Sequence, residues 1–258
     1  MKIHMIAALA AVTLPLSGTA ANAAVDPIDS PELTKNELYA AGPLPRTKCA
    51  EKRLRPGDKK QARAYVSAVV ACLDKTWGRH LAKAGVDFAK LRVKHYSRIP
   101  KKYCGMDVGK EDAQIWYCDR TKTLAVQVGK SWLEETDDLW LFQLTSAMYG
   151  MHVQQLTGIT DAHNDEPYDG EAELREQSRR ANLQTECLAG AFLKSVWPLK
   201  GRNSRDFREL LSLMRGDGRK DERWLGKTAN VRAWIKRGFA TGDPKSCNTW
   251  SASSSRVA

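Results

Sequence analysis

Few side chains in this chain stand at spacings that do chemistry unaided. His80 and His95 are isolated, with no second imidazole three or four residues away. That spacing is what brings two ring nitrogens to one ion on a single helix face. His163 lies in a polar loop, Thr160 to Gly170, with Asp165, Glu166 and Asp169. Such carboxylates hold a hard cation weakly, but the loop lacks the Asp-x-Asp-x-Asp-Gly run and distal Glu that enclose calcium, so it reads as a solvated acidic loop. The six cysteines, at 49, 72, 104, 118, 187 and 247, contain no C-x-x-C, which argues against a thiolate metal cluster.

The remaining histidine of the globular part, His152, lies in Leu144 to Ile159, LTSAMYGMHVQQLTGI. A zinc peptidase of the commonest design carries His-Glu-x-x-His on a helix, two imidazoles one turn apart on the ion and a Glu polarising its water. Here the five positions before His152 are Ala147, Met148, Tyr149, Gly150 and Met151. Around them, Gly150, His152-Val153-Gln154 and Gly158-Ile159 resemble the neutral zinc metallopeptidase family, whose pattern runs close to H-E-x-G-H-H-V-Q-x-x-x-G-I. A second block, Arg179-Arg180-Ala181-Asn182-Leu183-Gln184-Thr185-Glu186-Cys187-Leu188-Ala189-Gly190, resembles the family's R-R-x-E-L-Q-A-D-C-x-A-G.

The resemblance covers most of the chain after residue 60 and implies a zincin-like fold with zinc as cofactor. It also implies that Ala147 and Met151 replace the two zinc-binding histidines, Met148 the catalytic Glu, and Asn182 the third ligand. On this reading zinc is lost and no catalytic or metal-binding residue is left. His152 follows the family's second metal-binding His and points about 100° further round the helix, as a structural histidine. A rival reading keeps an active peptidase with relocated ligands, His152, His163 and Glu186, although these three reproduce no ligand spacing.

The elements that would position such a site follow from periodicity. Residues 1 to 23 carry Lys2, an apolar run from Met5 to Leu16 and a small-x-small site at Ala21-Asn22-Ala23, which reads as a signal peptide cleaved near Ala23. The run is shorter than the roughly 20 residues a bilayer requires, and no later stretch is apolar enough to span one. The expected location is therefore secreted. Residues 24–45 are rich in Pro and Ala without a sustained period and are expected to form a flexible leader.

From Lys60 to Ala84 the residues Tyr65, Val66, Val69, Val70, Leu73, Trp77 and Leu81 fall at helical spacing, with Gly85 as the stop. Ile115 to Cys118 and Thr123 to Val128 alternate around Asp119-Arg120-Thr121-Lys122 and predict a hairpin. Leu124, Val126 and Val128 are expected to form an edge strand that takes a peptide as an extra strand, a role that needs no metal. Two long helices, Leu139 to Leu156 and Glu171 to Val196, carry the two motif blocks. Shorter helical patterns follow around Phe207, Leu210, Leu211 and Met214, and around Val231, Trp234 and Ile235.

An even number of cysteines in an oxidising compartment points to three disulfides. Fifteen pairings are possible; chain order favours Cys49–Cys72, Cys104–Cys118 and Cys187–Cys247. The resemblance supports the middle pair, because Cys104-Gly105 and Trp116-Tyr117-Cys118 are similar to the family's C-G and F-Y-C blocks.

These readings converge on a mainly helical α+β fold: a metallopeptidase-like domain over 46–250 with a small antiparallel sheet, stapled by disulfides, and a disordered tail over 251–258. The expected function is that of a secreted pseudopeptidase binding a peptide or protein at the cell envelope. With 41 Lys and Arg against 30 Asp and Glu, a net +11, an anionic envelope surface is a further candidate partner, and a basic envelope-binding module a further reading. The concentration from Arg46 to Arg63 has no aromatic interleaving, which excludes base-stacking recognition of nucleic acid.

Overall fold

The computed structural model describes residues 28–51, 54–134, 138–218 and 223–258. In chain order its elements are α1 (Pro31–Thr34), α2 (Lys59–Lys83), β1 (Arg92–Tyr96), β2 (Lys102–Tyr103), β3 (Met106–Asp107), β4 (Gln114–Cys118), β5 (Thr123–Gln127), α3 (Lys130–Leu133), α4 (Asp138–Leu156), α5 (Ile159–Asp165), α6 (Gly170–Val196), α7 (Ser204–Leu213), α8 (Thr228–Thr241) and α9 (Ser254–Val257). The fold is mainly helical α+β, and the three disulfides are Cys49–Cys72, Cys104–Cys118 and Cys187–Cys247. No helix among the described residues is long and apolar enough to cross a membrane. The expected signal peptide lies outside the described residues.

The helix α2 begins where the Asp58 side chain accepts the Gln61 N–H at 2.8 Å, and its apolar stripe, from Tyr65 to Leu81, is buried. It stops at Gly85, whose φ of +75° suits a residue without a Cβ. Against it packs α4, and against α4 the long helix α6, running in the opposite direction. Phe142 stacks on Phe192 at 5.5 Å between ring centres near one end, and Gln154 reaches the Ala181 carbonyl near the other. Between them Gly150 allows the close approach: a Cβ there would lie 2.9 Å from Thr185 Cα. α8 then crosses α6 through two facing glycines, Gly190 against the Ile235 carbonyl and Gly238 against that of Cys187.

The sheet has the order β1-β5-β4, with β1 parallel and β4 antiparallel to β5. The hairpin predicted from sequence is β4–β5, but β1 adds to it in parallel, so the sheet is mixed rather than antiparallel. This overturns the edge-strand assignment of Leu124, Val126 and Val128. β5 is paired on both sides, and all three side chains are fully buried. The strand with only one neighbour beside the helices' open end is β4. The small β2–β3 hairpin is joined to β4 by Cys104–Cys118. The segment leading through it covers the sheet's outer face, where buried Gln127 donates to the Glu111 and Asp112 carbonyls and accepts from Ile99 N–H.

The described residues of both expected flexible ends, 28–45 and 251–258, are packed. Within the leader, Leu33 and Leu38 are fully buried, and the Asn36 amide donates to the Thr157 carbonyl at 2.9 Å. Sequence periodicity missed this segment because short helical turns bury single residues rather than a stripe. At the other end Val257 is fully buried and Trp234 Nε1 donates to the Arg256 carbonyl. The tail from 251 is thus part of the fold, held by side chains distant in sequence.

Candidate functional site

A cleft of about 420 Å³ opens at the end of the α4–α6 pair. α4 supplies Met151 and Gln154 to it, α6 supplies Ala181 and Asn182, and α5 supplies Thr160 and His163. The opposite wall is Tyr117 of β4, the following Asp119, and Cys104 and Met106 of the hairpin.

Of the four degenerate positions, Met151 and Asn182 face this cleft together. Ala147 is buried below it, and Met148 packs partly buried against the apolar core. Asn182 is committed: its amide donates to the Trp224 carbonyl at 2.9 Å. A methyl, a thioether and an amide do not fit zinc, which takes imidazole, thiolate or carboxylate donors. The residues present therefore do not reconstruct the family's metal site.

The proposed relocated ligands are not assembled either. His152 is fully buried; its Nε2 lies 2.7 Å from the Ala89 carbonyl and its Nδ1 3.0 Å from the Tyr117 hydroxyl. A carbonyl only accepts, so Nε2 carries the proton and Nδ1 accepts from Tyr117. Burial holds this imidazole below the usual histidine range. Glu186 points to Gln143, whose amide donates to its carboxylate at 2.9 Å, and burial raises its carboxyl above the ordinary range. Only His163 reaches the cleft. It is held neutral by burial and set against the Trp250 ring at 5.2 Å between centres.

Among the described residues, three potential His, Cys, Asp or Glu ligands converge only at Cys104, Cys118 and Asp119. Both sulfurs there are joined in the disulfide. The segment read from sequence as a polar loop, Thr160 to Gly170, is helical through Asp165 as α5; Asp165 and Asp169 are exposed, while desolvation raises Glu166, helped by the charges of Asp29 and Glu173.

The motif residues that remain in this chain do mechanical work. Gln154 donates to Gln184 at 2.8 Å, joining the two motif blocks, and Gln184 in turn donates to the Tyr39 hydroxyl at 2.7 Å. Arg179 donates to the Val257 and Arg223 carbonyls. Arg180, fully buried, donates to the carbonyls of Thr249, Trp250 and Ala252 and pairs with Glu176 at 2.7 Å. Sequence reading quoted this Arg-Arg pair without assigning it a task. A guanidinium carries five N–H donors and no acceptor, so once buried it has to find oxygens such as these carbonyls.

Residues 25–250 match the family described as "Putative neutral zinc metallopeptidase". The chain belongs to that family. It is 26% identical over 211 residues to the protein titled "Uncharacterized protein YpfJ" of Escherichia coli strain K12, a match covering 75% of this chain and 73% of the relative. The YpfJ protein of the O6:H1 strain matches to the same extent. No solved structure matches. The matched range includes both motif blocks and the helices α4 and α6 that carry them. The family is associated with zinc by its description.

Proposed function

We propose that this member is an exported, zinc-free pseudopeptidase that holds a peptide or protein segment at the cell envelope without hydrolysing it. The observation that carries the reading is the pairing of Met151 with Asn182 in a cleft whose wall is a strand with one free side. Where a zinc peptidase presents an ion and a polarised water, this cleft presents a flexible thioether and a committed amide. An extended peptide lying along the free side of β4 would gain main-chain hydrogen bonds and set its side chains over Met151 and Met106. The β4 edge thus takes the part that sequence reasoning gave to Leu124, Val126 and Val128. Three disulfides and the N-terminal pattern support export.

The test begins with zinc content per chain of the purified oxidised protein, by elemental analysis with and without a chelator wash. Less than about a tenth of an ion per chain is expected; near-stoichiometric zinc overturns the reading. The same protein is then exposed to a library of extended peptides. Enrichment of sequences recovered uncleaved is expected, and release of cleaved products overturns the pseudopeptidase.

A further inference from the structure

A second basic stretch runs from Arg223 to Ala258. Between Arg223 and Ala258 there are seven Lys and Arg residues and a single carboxylate side chain, Asp243. None of the seven forms an ion pair among the described residues. Other cations are paired, as Arg180 is with Glu176 and Arg205 with Glu209. Unpaired cations on one face leave a positive potential there.

Tertiary structure gathers three of them around one groove of about 390 Å³ between α8 and α9, lined by Asn230, Trp234, Lys236, Arg237, Ser255 and Arg256. No carboxylate side chain lines it. Lys236, Arg237 and Arg256 are exposed. Arg237 is also aimed: its Nε donates to the Ser246 carbonyl at 2.7 Å and its guanidinium lies over the Trp234 ring at 5.5 Å. Asn230 closes the groove by donating to the Ser255 carbonyl and to a main-chain oxygen of Ala258.

We infer that this groove is an anion site for a phosphodiester-linked polymer, distinct from the peptide cleft. A planar guanidinium held by its own neighbours, with two further cations beside it, matches the repeated negative charge of such a chain. A bilayer surface fits less well. The large apolar residues that are exposed, Met106, Tyr168, Trp224 and Leu225, do not line the groove, so nothing there would enter a membrane. A nucleic acid fits less well too: Trp234 is 5% exposed and covered by Arg237, leaving no face for a base to stack on.

The experiment measures retention of the purified oxidised protein on inorganic polyphosphate as a function of salt, with phosphatidylglycerol vesicles as a second arm. The double variant Lys236→Gln/Arg256→Gln alters exposed side chains and is checked for an unchanged melting temperature. Losing two phosphate contacts lowers the slope of log affinity against log salt by about 1.4, and weakens binding at least roughly tenfold near 0.1 M salt. The comparison variant Lys60→Gln/Lys101→Gln removes two exposed cations elsewhere and is expected to keep the wild-type slope. Equal losses in both variants would reduce the effect to diffuse charge and overturn the site. Vesicle binding as tight as polyphosphate binding would overturn the polymer as its ligand.

Discussion

The Tyr117 hydroxyl stands 3.0 Å from His152 Nδ1 and fixes a neutral imidazole between the sheet and α4. Because burial lowers the folded-state value of His152, the unfolded chain takes up a proton first as pH falls below the ordinary histidine range, near 6.5. The contribution of His152 is therefore complete above that range and is lost on acidification. The difference in unfolding free energy between wild type and His152→Gln, measured by denaturant titration, should shrink from pH 7.5 to pH 5.5, by up to about 1.4 kcal/mol per pH unit. The raised carboxyls of Asp74 and Glu186 act in the opposite sense but are common to both proteins and cancel. A difference that stays constant with pH would contradict the neutral assignment.

Restoring the ligands tests whether the scaffold is still that of the family. Positions 147 and 151 are one helical turn apart, and 182 shares the cleft with 151. The combined variant Ala147→His/Met151→His/Asn182→Glu should hold close to one zinc ion per chain, read by elemental analysis and by a zinc-dependent rise in melting temperature. Failure to bind in a folded variant would mean that α4 and α6 have moved out of ligand distance.

Arg180 is expected to be the most costly single loss away from the cleft. Arg180→Met strands three buried carbonyls and Glu176, an effect on the order of 3 kcal/mol or more in denaturant unfolding. Limited proteolysis should then open the chain first near residues 249–258.

The contact of α6 with α8 depends on Gly238. A Cβ there would lie 2.0 Å from the Cys187 carbonyl oxygen, a backbone atom that cannot swing away. Gly238→Ala should destabilise by about 1–3 kcal/mol, whereas the same change at Gly201, which has open space around its Cβ position but a φ of +73°, tests backbone strain alone.

The disulfides should rank by the loop each closes. Cys187–Cys247 spans 60 residues and Cys104–Cys118 spans 14, so removing the first should cost about 4 kcal/mol and the second about 3. The reverse order, measured by chemical denaturation of the paired Cys→Ser variants, would point to native-state strain rather than chain entropy.

What the sequence by itself determined is what depends on residue type and local spacing. Helical stripes such as Tyr65 to Leu81 located the long helices within a residue or two, the alternation around Asp119 to Lys122 located the hairpin, and chain order paired the cysteines. The side chains at 147, 148, 151 and 182, a methyl, two thioethers and an amide, were equally legible; that they replace zinc donors is what the family resemblance implies. Tertiary structure alone decided the strand order, since β1 joins β5 through a parallel pairing some 30 residues distant that leaves no local pattern. It decided that residues 28–45 and 251–258 are packed, through single buried side chains and backbone carbonyls met by Arg179, Arg180 and Asn36. It also brought Lys236, Arg237 and Arg256 to one groove, because charge has no period and only the crossing of α8 with the chain's last turn makes neighbours of them.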